Sequence, residues 1–143
     1  MEDQEKRAYA EALLYAADRE EGVSSSEFDR FENFCREQQI SGEELREITE
    51  EIAEGRKSLS EILSCIRNPE SQRRLLHDLA CMCDADEGIS EAELQFLNEV
   101  SQKLDIDDRT SKEIIRIAQA LTMLERQRDR LISEGESTTP PKS

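Results

Sequence analysis

The sequence predicts an all-α protein. Apolar residues recur at spacings of three and four along the chain, and no segment alternates over a strand's length. Helix-start signals fall where the apolar periods begin. A chain of 143 residues is long enough to bury a real core as one domain, covering roughly 70% of the surface its unfolded form exposes.

About seven helices follow from the spacing. Ala10, Leu13, Leu14 and Ala17 stripe a first helix that ends near Asp18, and Phe28, Phe31, Phe34 and Cys35 face inward from a second. Leu45, Ile48 and Ile52 mark a third, closed by Gly55, whose missing Cβ suits a left-handed helix cap. A short fourth carries Leu59, Ile62, Leu63 and Ile66. Asn68-Pro69 opens the fifth, with Asn as cap and Pro in the first turn where no N–H is missed. Its inward residues are Leu75, Leu76, Leu79 and Cys83, and those of the sixth are Leu94, Leu97, Val100 and Leu104.

The seventh begins near Thr110 with Ile114, Ile117, Ala118, Leu121 and Leu124. Carried to Ile132 it is roughly 34 Å long. Its last part, "ERQRDRL", loses most of the apolar stripe and is expected to project from the body. Residues 134–143 read as a disordered tail, leaving 1–133 as the single domain.

Four segments fit the capping box, in which a Ser or Thr and a Glu three residues on satisfy free amides at a helix start. They are "SSSE" at Ser24, "SGEE" at Ser41, "SEAE" at Ser90 and "TSKE" at Thr110.

Displacing the chain by 66 residues lays "DREEGVSSSE" (Asp18–Glu27) on "DADEGISEAE" (Asp84–Glu93), with five of ten positions identical. The register extends outward, pairing Leu13 with Leu79, Phe28 with Leu94, Phe31 with Leu97 and Ile40 with Ile106. Two pseudo-symmetric three-helix units, about 8–54 and 74–124, joined by the short fourth helix, are therefore expected to share one core.

These paired loops, acid-Gly-(Val/Ile)-Ser followed by Glu, resemble the tellurite-resistance TerB-like family, most clearly in "LACMCDADEGISEAELQFLNEVSQKLDID". The likeness runs from about Tyr9 to Leu124. It implies a compact fold of about seven helices and a role in cytoplasmic stress response or partner binding. Family loops often read Ala-Asp-Gly; extra acids intervene here, giving "ADREEG" and "DADEG".

A net charge of −15 argues against nucleic-acid binding, which needs Lys and Arg to displace phosphate counterions. No stretch approaches the roughly 20 apolar residues of a membrane span, and the acidic first helix is unlike a signal peptide. Cys35, Cys65, Cys81 and Cys83 fall in apolar helical segments and read as reduced residues of a cytoplasmic protein. The lone His77 and the lack of a CxxC pair speak against structural zinc. No phosphate loop, nucleotide fingerprint or HExxH occurs, so no enzymatic activity and no required cofactor are expected.

The acidic loop allows two readings. Counted from Asp84, Gly88 arrives at position 5 and Glu93 at position 10, which fails the EF-hand spacing. A different oxygen site for calcium or magnesium would use Asp84, Asp86 and Glu93, with Asp18, Glu20 and Glu27 in the first copy. In the structural reading Gly88 and Gly22 turn the chain, Ser90 and Ser24 cap, and Asp84 and Asp86 are solvated. The leading expectation is an acidic interaction module that docks a protein partner on the acidic loops or along the seventh helix. The alternative is a divalent-cation-binding or sensing protein.

Overall fold

A computed structural model describes residues 1–18, 25–84 and 88–137, the side chains of 25–27 and 135–137 excepted. Among these residues the chain is all-helical, without strands: α1 (Asp3–Asp18), α2 (Ser25–Glu37), α3 (Gly42–Ala53), α4 (Leu59–Ser64), α5 (Pro69–Cys83), α6 (Glu91–Lys103) and α7 (Asp108–Ser137). No described helix is long and apolar enough to cross a membrane.

Helix α1 is central. It packs against α2, α3, α4 and α5, and every residue from Ala8 to Leu14 is buried. A helix surrounded on all sides needs more than one apolar stripe, and five small alanines among its buried residues let four neighbours approach. Tyr9 fills the middle: its ring stacks on Phe34 at 4.5 Å, and its hydroxyl donates to Asp78 at 2.5 Å. Burial, with the Asp78 charge, pushes the Tyr9 phenol above its ordinary range.

One charge lies inside that helix. Glu11 is 1% exposed and accepts from Lys57 Nζ at 2.8 Å, with Arg7 Nε at 3.4 Å. Arg7 also reaches Glu44, Glu47 and Glu51 of α3, and Lys57 lies 3.7 Å from Glu51. Burial holds the Glu11 carboxyl above its usual range and the neighbouring Glu51 carboxyl adds to that, while Glu11, Arg7 and Lys57 together hold Glu51 low. The buried Glu51 Oε2 meets Arg7 Nη2 at 3.2 Å as an ion pair without hydrogen-bond alignment.

The second body of the fold is α5 packed along α7, with α6 against both. A buried Ser101–Ser111 hydrogen bond ties α6 to α7. Cys35 and Cys81 are buried, Cys65 and Cys83 half-buried, and none of the four is in a disulfide.

Helix ends follow the sequence signals in part. Ser90 and Glu93 form a complete capping box, and Ser41 accepts from the Glu44 amide. The "TSKE" expectation is corrected: Asp107 caps α7, accepting from the Thr110 amide at 3.0 Å and hydroxyl at 2.7 Å. A box at Ser58 and Glu61 opens α4, a helix for which no start signal was singled out from the sequence. The "SSSE" box at Ser24 lies outside the described residues.

Gly55 closes α3 at φ +66° as expected. Gln39 (φ 58°) and Asp105 (φ 60°) take the same left-handed conformation after α2 and α6. Both turns close alike, with Ile40 N–H donating to Cys35 and Ile106 N–H to Ser101.

A left-handed L-residue costs roughly 1–2 kcal/mol, which glycine avoids. Gln39→Gly should therefore raise the unfolding free energy by up to about 1 kcal/mol in denaturant titration, and a loss would refute the strain. The Ser58 amide and hydroxyl hold the Glu61 carboxylate below its ordinary range. Its contribution is then full above that range and is lost as pH falls through the lowered value. Glu61→Gln keeps an acceptor for the Ser58 amide, so its melting temperature should fall less than wild type on acidification below about pH 5. Parallel curves would contradict this.

Candidate functional site

Two features meet where α5 ends: the acidic turn and the outer surface of α7. Asp84 is the C-cap of α5, its N–H donating to the carbonyls of Ala80 and Met82. Its side chain is not solvated, which corrects the structural reading of the loop. Asp84 is 3% exposed, accepts from the Thr122 hydroxyl at Oδ2, and lies 3.9 Å from Arg126 Nη1 through the same oxygen. Arg126 Nη1 donates to the Asp84 carbonyl at 2.5 Å, neutralising the negative end of the α5 dipole.

Gly88 follows at φ +95°, a conformation that L side chains avoid. A Cβ there would sit 3.6 Å from Asp84 Oδ1, an ordinary contact, so the backbone angle and not crowding calls for glycine.

The other proposed metal ligands fare differently. Glu93 sits in the first turn of α6 and spends Oε1 on the Ser90 amide at 2.9 Å. Asp18 is exposed at the end of α1. Asp86 and Glu20, and the side chain of Glu27, lie outside the described residues. Among the described residues no three His, Cys, Asp or Glu side chains converge as a metal set.

His77 and Cys81, one turn apart on α5, do not form an activated thiolate. The sulfur is 3.9 Å from both ring nitrogens, and burial pushes the thiol up to about 11. A groove of about 220 Å³ between α1, α2 and α5, edged by Arg30, Arg74 and Asp78, is below the roughly 300–1,000 Å³ usual for small-molecule sites.

Helix α7 reverses a sequence expectation. Its buried face is Ser111, Ile115, Ala118 and Thr122, turned against α5 and α6. Ile117, Leu121 and Leu124, read as core from their spacing, are 42%, 44% and 57% exposed. Leu94 of α6 is exposed too, and Phe96 takes its place inside. At 100° per residue the outer stripe of α7 lies about 130° from the buried one, so the helix carries two apolar faces. Leu131 and Ile132 prolong the outer side, at 70% and 55% exposed. Sequence spacing found this stripe but not its direction, because nothing in the pattern tells which of two faces meets the body.

Thr122→Val removes the donor to a buried carboxylate and should cost about 1–3 kcal/mol in denaturant unfolding, with Thr122→Ser costing less. An unchanged midpoint for Thr122→Val would remove Asp84 from the α5–α7 junction.

The chain matches no curated protein and no solved structure. Residues 6–131 match the family model described as tellurite resistance protein TerB, which spans nearly the whole helical body, and the chain belongs to that family.

Proposed function

We propose that this chain is a non-catalytic interaction module of a cytoplasmic stress response of the tellurite-resistance type, and that it docks a protein partner along the outer face of α7. The observation that carries the reading is the line of Ile117, Leu121, Leu124 and Leu131, each more than two-fifths exposed. Aliphatic side chains in a contiguous row on a surface are a recurrent mark of protein association. Family membership supports the stress-response setting. The Asp84 junction supports the docking role, since it fixes α7 to α5 at Thr122 and Arg126 and presents the outer face rigidly.

A divalent-cation sensor is the competing account. The engagement of Asp84 by Thr122 and of Glu93 by the Ser90 amide favours docking over it. Two measurements separate them. Under docking, Leu121→Asp with Leu124→Asp should abolish tellurite protection and the retention of a co-purifying partner, while helicity by circular dichroism is preserved. Protection and retention equal to wild type would end the docking reading. Titration with calcium or magnesium to millimolar levels should leave the amide resonances of residues 84–93 in place. A saturable shift there, lost in Asp84→Asn with Glu93→Gln, would install the cation reading instead.

A further inference from the structure

We infer that the groove between α1, α2 and α5 is a binding site for a free α-amino acid with an apolar side chain, held at both of its charges. It lies apart from the outer face of α7 and does not depend on docking there.

The walls follow from helix spacing. Arg30, Asn33, Phe34 and Glu37 recur at steps of three and four and share one face of α2, while Arg74 and Asp78 are one turn apart on α5. Leu13 of α1 closes the floor. Arg74 and Gln38 also edge a neighbouring hollow, so the C-terminal end of α2 lies beside the start of α5 and the two helices run antiparallel. Phe34 and Asp78 therefore stand in the middle of the groove, with Arg30 a turn towards one end and Arg74 a turn towards the other.

Tyr9 holds that middle in place. It is fully buried, stacks on Phe34 and donates its hydroxyl to Asp78 Oδ2. Asp78 Oδ1 lies 3.7 Å from His77 Nδ1, beyond hydrogen-bond reach, and the side chain is 29% exposed. On α2, Arg36 donates to Asn33 Oδ1 at 3.0 Å, which leaves the Asn33 amide N–H groups as donors. The Arg30 and Arg74 charges act inward, opposing the rise that burial gives the Cys81 thiol and the Tyr9 phenol. Among the described residues neither guanidinium has an ion-pair partner.

Charge and size select the ligand. Two guanidiniums and two carboxylates edge the groove, so a simple anion meets Asp78 and Glu37, and a simple cation meets Arg30 and Arg74. A molecule carrying both signs on neighbouring atoms meets neither obstacle. Its carboxylate accepts from Arg30 and Asn33, its ammonium donates to Asp78, and its side chain lies against Phe34 and Leu13. A volume of about 220 Å³, small for larger ligands, suits a molecule of this size.

NMR titration of the full chain with L-leucine to tens of millimolar tests this. A saturable shift of the Asn33, Phe34 and Asp78 amide resonances is expected. Isocaproate, which lacks the ammonium, and isoamylamine, which lacks the carboxylate, should each bind at least tenfold more weakly. Arg30→Gln should weaken leucine at least tenfold with helicity by circular dichroism preserved. Tyr9→Phe keeps the ring on Phe34 but releases Asp78, so it should weaken leucine and leave the response to isocaproate unchanged, a split that general loosening would not give. Absence of a saturable shift overturns the site, and so does a shift that survives Arg30→Gln. Isocaproate or isoamylamine binding as tightly as leucine overturns recognition of both charges. Equal loss of leucine and isocaproate in Tyr9→Phe overturns the pairing of Asp78 with the ammonium.

Discussion

The enclosure of α1 is the constraint from which the architecture follows. A helix buried from Ala8 to Leu14 leaves no side open to water, so each of its faces must be matched by another helix. Alanines at positions 8, 10, 12, 16 and 17 keep the cylinder thin enough for α2, α3, α4 and α5 to close around it. Glu11 then has no solvent to turn to. Its charge is met by Lys57 from the α3–α4 connection and by Arg7, which also collects three carboxylates of α3. Burying the carboxylate fixes where that connection must pass, since removing a partner from a buried charge is far costlier than loosening a surface pair.

The other half of the molecule is organised by Asp84. One side chain ends α5, accepts from Thr122 and faces Arg126, so turn and long helix form a single unit. Thr122 and Arg126 are a turn apart on α7, and both point to the same end of α5. The end of α5 and the outer apolar face of α7 are thereby held in fixed relation, though they lie on different elements.

Much of this was legible in the chain. Helix number, the Asn68-Pro69 start, the Ser90–Glu93 box and the Gly55 stop are local matters, decided by residues within one turn of each other. What escaped was decided at a distance. The core face of α7 is set by α5, and its buried members Ser111, Ala118 and Thr122 are weakly apolar or polar, whereas Ile117, Leu121 and Leu124 look more like a core than the core does. Asp84 looked like a solvated loop acid because its partners are 38 and 42 residues away. Gln39 gave no sign of its left-handed backbone, a conformation usually announced by glycine, asparagine or aspartate. Among the proposed cation ligands, the engagement of Glu93 by Ser90 was announced by the capping box, whereas that of Asp84 by Thr122 was not.

The attachment at Arg126 has a mechanical meaning. It divides α7 into a seated length of about 28 Å and an arm of about 16 Å beyond it. A stiff rod clamped near two-thirds of its length is a cantilever. Whatever pulls on Leu131 bends the arm against its clamp, and the clamp is the carbonyl of Asp84 at the mouth of the acidic turn. Tension at the tip of the molecule is thus delivered to the end of α5, far from the surface on which it acts.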